Sequence, residues 1–126
     1  MALLLLPRAS PPSFKTYFFR LYHAPSLFLS GANKGIGKET ARLLAEQGLR
    51  VVLAVRSLEH GRAAAADIAA ATGGPQPLVA ELDIASPASV DAFGDWVAQE
   101  LGHCDILVNN AGWGGVGKGG VGAAGR

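Results

Sequence analysis

The middle of the chain alternates short apolar runs with longer amphipathic ones. Leu27 to Ser30, Val51 to Val55, Leu78 to Leu82 and Asp105 to Val108 are short and almost wholly aliphatic, as strands are when a parallel sheet is covered on both faces. Between the first two runs, Ile36 to Gln47 predicts a helix with Ile36, Thr40, Leu43, Leu44 and Gln47 on one face and Gly48 as its stop. Leu58 to Ala71 is alanine-rich and helical by propensity, and Gly73-Gly74-Pro75 ends it. A third helix starts at Ser86-Pro87, with serine as N-cap and proline in the first turn. Val90, Phe93, Val97 and Leu101 line its apolar face, and Gly102 closes it. The order is βαβαβαβ over residues 26–112. With right-handed crossovers it gives an α/β fold: a parallel sheet of about four strands with helices on both faces.

The junction of the first strand and first helix carries the most specific chemistry. Ser30-Gly31-Ala32-Asn33-Lys34-Gly35-Ile36-Gly37 spaces its glycines as G-x-x-x-G-x-G. Glycine reaches the positive φ of a tight turn and lets backbone approach a ligand closely. The N–H groups at the start of the following helix favour a phosphate. Strand, glycine turn and helix together read as the opening of a Rossmann-like, nucleotide-binding unit. The second strand ends in Val55-Arg56-Ser57, where NAD-binding folds usually place a carboxylate for the ribose 2′-hydroxyl. Arg56 instead offers a fork of donors suited to a 2′-phosphate, and Lys34 adds a cation within the turn. The expected cofactor is NADP(H), favoured over NAD(H). The alternative is that both are solvated surface charges.

Composition narrows the rest. A chain of 126 residues is one domain by length, and a net charge of +1 gives no electrostatic case for nucleic acid. A single cysteine, Cys104, excludes an internal disulfide and is expected to be a small buried residue beside the fourth strand. No aliphatic run is long enough to span a bilayer. His23, His60 and His103 lack metal-ligand spacing, and Asp91 with Asp95 reads as a solvated helix face, so no metal site is expected. Residues 1–25 form a basic leader without an acidic residue, with Phe14, Tyr17, Phe18, Leu21 and Tyr22 at helical spacing. The expectation is a cytoplasmic protein whose leader is disordered and carries no address; the alternative is an organelle, chloroplast or mitochondrion, because that start resembles a transit peptide. Seven of the seventeen glycines fall in residues 113–126, which read as a flexible tail.

Over Leu27 to Gly112 the chain resembles the short-chain dehydrogenase/reductase family. Three motifs carry the resemblance in order. Ser30 to Gly37 is similar to Thr-Gly-x-x-x-Gly-Ile-Gly with Ser for Thr, Leu82-Asp83-Ile84 to the segment that meets the adenine, and Asn109-Asn110-Ala111-Gly112 to Asn-Asn-Ala-Gly. Ala-Asn-Lys-Gly-Ile-Gly with an arginine after the second strand looks most like the carbonyl-reductase branch. The resemblance implies a cofactor site built from Ser30, Gly31, Asn33, Lys34, Gly35, Ile36, Gly37, Arg56, Ser57, Asp83, Ile84, Asn109, Asn110, Ala111 and Gly112. Ser30 would brace the turn by local hydrogen bonding, and Asp83 would accept from adenine or else cap a helix. The asparagines would meet the ribose side or else tie strands together. The resemblance also implies hydride transfer between NADP(H) and a carbonyl or alcohol. The family performs that step with a Ser and a Tyr-x-x-x-Lys, which have no counterpart here: Tyr17 and Tyr22 precede the glycine turn, and neither has Lys four residues on. The expectation is therefore a truncated cofactor-binding half of marginal stability, with no catalytic residue, whose fourth strand is an exposed apolar edge open to association. The alternatives are a non-catalytic nucleotide-binding or partner-pairing module, and an enzyme completed by another chain.

Overall fold

The computed structural model describes residues 24–112 and the backbone of Gly114–Gly115 and Ala123–Ala124. The expected amphipathic leader lies outside the described residues. The elements are β1 (Ser26–Ser30), α1 (Gly35–Glu46), β2 (Arg50–Val55), α2 (Leu58–Thr72), β3 (Leu78–Glu81), α3 (Pro87–Glu100), β4 (Ile106–Val108), β5 (Gly114–Gly115) and β6 (Ala123–Ala124). β1 to β4 form one parallel sheet in the order β3-β2-β1-β4. Within the stretch expected to be a flexible tail, β5 pairs antiparallel with β6. Hydrophobic patterning cannot register such a pairing, because backbone groups of glycine and alanine make it without side-chain periodicity; the rest of that stretch lies outside the described residues.

Alternate side chains of each strand face opposite sides of the sheet. Leu27, Leu29, Val51, Leu53 and Val55 pack under α1 and α2, against Ala41, Ala64, Ala65 and Ile68. Phe28, Val52 and Ala80 face the other way and are covered by Phe93, Trp96, Val97 and Leu101 around α3. Helices thus lie on both faces, two against one. On the α3 side, Phe28 meets Phe93 edge to face at 5.8 Å and Phe93 stacks on Trp96 at 6.1 Å. Trp96, which the periodicity did not single out, belongs to that core, whereas Val90 is exposed.

The buried stripe of α1 also differs from the expected one. Gly37 and Ala41 are buried and Leu44 and Ala45 pack on the core, while Ile36 is 82% exposed and Leu43 47%. Small residues let the helix axis approach the sheet, and that approach sets its rotation. A similar close contact occurs in α2, where a Cβ on Gly61 would stand 2.5 Å from methyl groups of both Val55 and Val79. The Ser86 cap of α3 and the Gly73 stop of α2 are as expected, and Ser57, expected only in the cofactor site, caps α2 as well. Ser57 Oγ accepts from His60 N, Ser86 Oγ accepts from Ser89 N, and Gly73 closes α2 in the left-handed conformation. The Lys38 ammonium reaches Asp67 at 2.6 Å between α1 and α2, an exposed pair worth at most about 1 kcal/mol.

β4 is the edge strand beside β1 among the described residues, and Ile106 and Leu107, on opposite faces of it, are 40% and 58% exposed. Its entry is clamped to β1: Asp105 Oδ2 accepts from Ser26 N at 2.7 Å and from Ser26 Oγ at 2.9 Å. These bonds, and His103 3.2 Å away, hold the Asp105 carboxyl below the ordinary aspartate range. Cys104 is exposed rather than buried, because the turn before β4 lies outside the sheet. Its Sγ donates to the Ile106 carbonyl at 3.4 Å, and partial desolvation with Asp105 alongside raises the thiol pKa, so it is no activated nucleophile.

Two measurements check this packing. Gly61→Ala should destabilise the chain by about 1–3 kcal/mol in denaturant melts through overpacking, whereas Gly94→Ala, where a Cβ meets open space in α3, should stabilise it by up to about 1 kcal/mol. Since the Asp105 pKa is depressed on folding, its stabilisation is present above about pH 4 and is lost as pH falls through the folded value. Asp105→Ala should therefore lower the urea midpoint at pH 7 and narrow that difference in acid.

Candidate functional site

The C-terminal ends of the parallel strands open onto a groove of about 870 Å³, where open α/β sheets bind ligands. Its floor is the glycine turn. Gly31 has φ +67°, and a Cβ there would come within 2.9 Å of the Ala111 backbone. A Cβ on Gly37 would meet Asn110 Nδ2 at 2.4 Å and the Gly31 carbonyl at 2.5 Å. These positions therefore tolerate only glycine: the turn is folded back against the segment that follows β4, and α1 starts hard against it.

Ser30 fastens that contact. It is buried at the end of β1, and its Oγ accepts from Asn110 N at 3.1 Å and from Ala111 N at 2.9 Å. Asn110 returns the tie, donating from Nδ2 to the carbonyls of Ser30 at 3.1 Å and Gly31 at 3.2 Å. The Ser30 hydroxyl does brace the turn, but through partners about 80 residues away rather than local ones. Asn110 takes the strand-tying role and lines the groove as well.

The remaining expected residues divide as follows. Gly31, Asn33, Lys34, Gly35, Ile36, Gly37, Arg56, Ser57, Asp83, Ile84, Asn110, Ala111 and Gly112 all line the one groove. Ser30 lies beneath its floor, and Asn109 is exposed outside the lining. Exposed Ile36, expected under the helix, forms part of the wall. Asp83 is held by its own turn: Oδ1 accepts from Ala85 N at 3.0 Å, and its backbone N–H donates to Ser89 Oγ at 2.9 Å. The cap of α3 is Ser86, so the helix-capping alternative for Asp83 falls. His60, Leu82 and Ala85 also line the groove. No motif marks His60; it reaches the groove because α2 begins directly after the β2 end and places it in its first turn.

The groove suits an elongated anion. Lys34, at the N-cap of α1, is extended and makes no side-chain capping bond, whereas α2 and α3 each carry a serine cap. Lys34 and Arg56 stand against a single acidic residue, Asp83, in the lining. A second cavity of about 360 Å³ lies at the opposite ends of β2 and β3. Arg50 is its one charged lining residue among mostly apolar ones such as Leu49 and Pro77, so it is the poorer candidate. No group of three or more His, Cys, Asp or Glu is placed to hold a metal among the described residues, and no described helix is long and apolar enough to cross a membrane.

Comparison with known proteins agrees with this geometry. Residues 26–121 match the family described as short chain dehydrogenase. The chain belongs to that family. It is 49% identical over 85 residues to retinol dehydrogenase 11 of Mus musculus, covering 67% of this chain and 27% of the relative. The chain thus spans about a quarter of the length of the curated relatives it matches. Among solved structures, menthone neomenthol reductase from Mentha piperita superposes with a TM-score of 0.69 at 38% identity, over 74% of this chain and 33% of that one. A metagenomic short-chain oxidoreductase in complex with NADP gives 0.64 at 40% identity, over 71% and 40%. The shared region is the Rossmann-like sheet with its helices.

Ser30→Ala should remove the shared acceptor under the floor and cost about 1–3 kcal/mol. In native-state hydrogen exchange the Asn110 and Ala111 amides should lose protection well ahead of those in β2.

Proposed function

We propose that this chain supplies the NADP(H)-binding half of a short-chain dehydrogenase, and that the 126 residues alone bind the dinucleotide without turning over a carbonyl or alcohol substrate. The observation that carries the reading is Arg56. It closes β2 in the same groove as the glycine turn, where a carboxylate would repel a 2′-phosphate. The fit is electrostatic and steric together: an uncapped helix start, a floor with no room for side chains, and basic groups at the β2 end.

In this reading the backbone of Gly31 to Gly37 holds the pyrophosphate, Arg56, Ser57 and Lys34 hold the 2′-phosphate, and Asp83 with Ile84 takes the adenine. Asn110, Ala111 and Gly112 wall the ribose side, with Asn109 behind them. When bound, the nicotinamide supplies or accepts hydride, and the residues named here only bind and orient it. The Ser and Tyr-x-x-x-Lys expected to move the proton have no counterpart in these 126 residues. Exposed Ile106 and Leu107 on the β4 edge favour a second reading, in which this unit pairs with another chain that completes the sheet.

Titration of the folded chain should give tighter binding of NADPH than of NADH. Arg56→Ala should weaken NADPH by about ten- to a hundredfold, the loss of a charge-assisted hydrogen bond, with little change for NADH. Equal losses for both cofactors would refute the assignment, and redox turnover by this chain alone would refute the claim that it only binds.

A further inference from the structure

The second cavity lies at the end of the sheet away from the groove, where β2 and β3 begin. Its walls include Leu49, Val51, Pro77 and Leu78, with Arg50 and Gln76 as polar members. At about 360 Å³ it exceeds the roughly 150 Å³ that suffice for a benzene ring. Such a lining suits an aromatic body with a polar tip better than a charged small molecule. α1 and α2 both end beside it, and neither carries a basic residue in its last turn. Arg50 apart, the negative ends of their dipoles are left to a cation from another part of the chain.

The chain holds a side chain of that kind next to the cavity. Ala24 is part of the lining, and the neighbouring Pro25 carbonyl accepts from Arg50 N at 3.0 Å, so the backbone runs beside β2 at this point. Tyr22 stands two residues earlier, within about 7 Å along the chain. In extended backbone, residues two apart share a face, here that of Ala24. Arg20 lies in the same basic, acid-free leader, which has the sign that the helix ends attract. So short a tether keeps the ring at an effective concentration in the millimolar range.

We propose that Tyr22 docks in this cavity, its ring among the apolar walls and its hydroxyl at the Arg50 and Gln76 rim, so that the leader packs on the base of the sheet. The occupant is this chain's own segment, and the inference does not depend on what the groove at the other end of the strands binds.

The test compares the full chain with Tyr22→Ala and Tyr22→Phe, and uses p-cresol, the tyrosine side chain as a free molecule, as the probe. Trypsin should cleave after Arg20 at least about tenfold more slowly in the full chain than in a free peptide of residues 14–26. Tyr22→Ala should abolish that protection, and Tyr22→Phe should keep most of it. Millimolar p-cresol should shift the amide resonances of Leu49, Val51 and Leu78 in Tyr22→Ala and leave those of the full chain in place. Equal cresol binding by both overturns the inference and leaves an open cavity for a small apolar ligand. Cleavage after Arg20 as fast as in the peptide, or protection that survives Tyr22→Ala, also overturns it. Protection that is lost on dilution gives the cavity to the leader of a second copy and overturns docking within one chain.

Discussion

The tie between Ser30 and the segment after β4 is the contact on which the groove depends. One buried hydroxyl accepts two backbone N–H groups from residues 110 and 111, and the Asn110 amide answers with bonds to two carbonyls at the end of β1. That exchange satisfies polar groups which a parallel sheet leaves at the ends of neighbouring strands. It also fixes how closely the chain after β4 approaches the glycine turn, and so why no side chain fits at Gly31 or Gly37. The polar groups of the floor are thus paired with one another, and the start of α1 lines the groove above them.

The sheet and its helices were largely legible from sequence because buried parallel strands advertise themselves as unbroken aliphatic runs. Ser86 and Gly73 also read well as caps, since they act through local backbone geometry, whereas Ser57 caps α2 without having been expected to. The misreadings share a cause. Counting apolar residues placed Ile36 and Leu43 under α1, but the helix docks by its smallest residues, Gly37 and Ala41, whose contribution is proximity rather than hydrophobicity. Gly61 is another such position. Cys104 was expected inside because free cysteines usually are, yet the turn that holds it lies at the edge of the sheet.

The candidate site was legible to the extent that it is built from consecutive residues. The glycine turn, Arg56 with Ser57, and Asp83 with Ile84 each follow a strand, and the topology brings the strand ends together. What could not be read is what depends on distance in the chain: the partners of the Ser30 hydroxyl, the burial of Ser30 beneath the floor, and the position of Asn109 outside the lining. His60 joins the site through helical geometry rather than through any motif, so a search by motif passes over it.

The placement of β4 has a consequence for how the groove is assembled. β1, β2 and β3 meet across spans of about two dozen residues, whereas β4 reaches β1 from the far end of the unit, closing a span close to eighty residues long. Entropy makes that the costliest closure of the sheet, and its reward is only a three-residue ladder with a polar clasp at each end, Asp105 to Ser26 and Asn110 to Ser30. During synthesis the glycine turn and Arg56 leave the ribosome well before the strand that completes their floor. The pocket is thus the last part of the unit to become rigid, although the residues that give it its chemistry are among the first to be made.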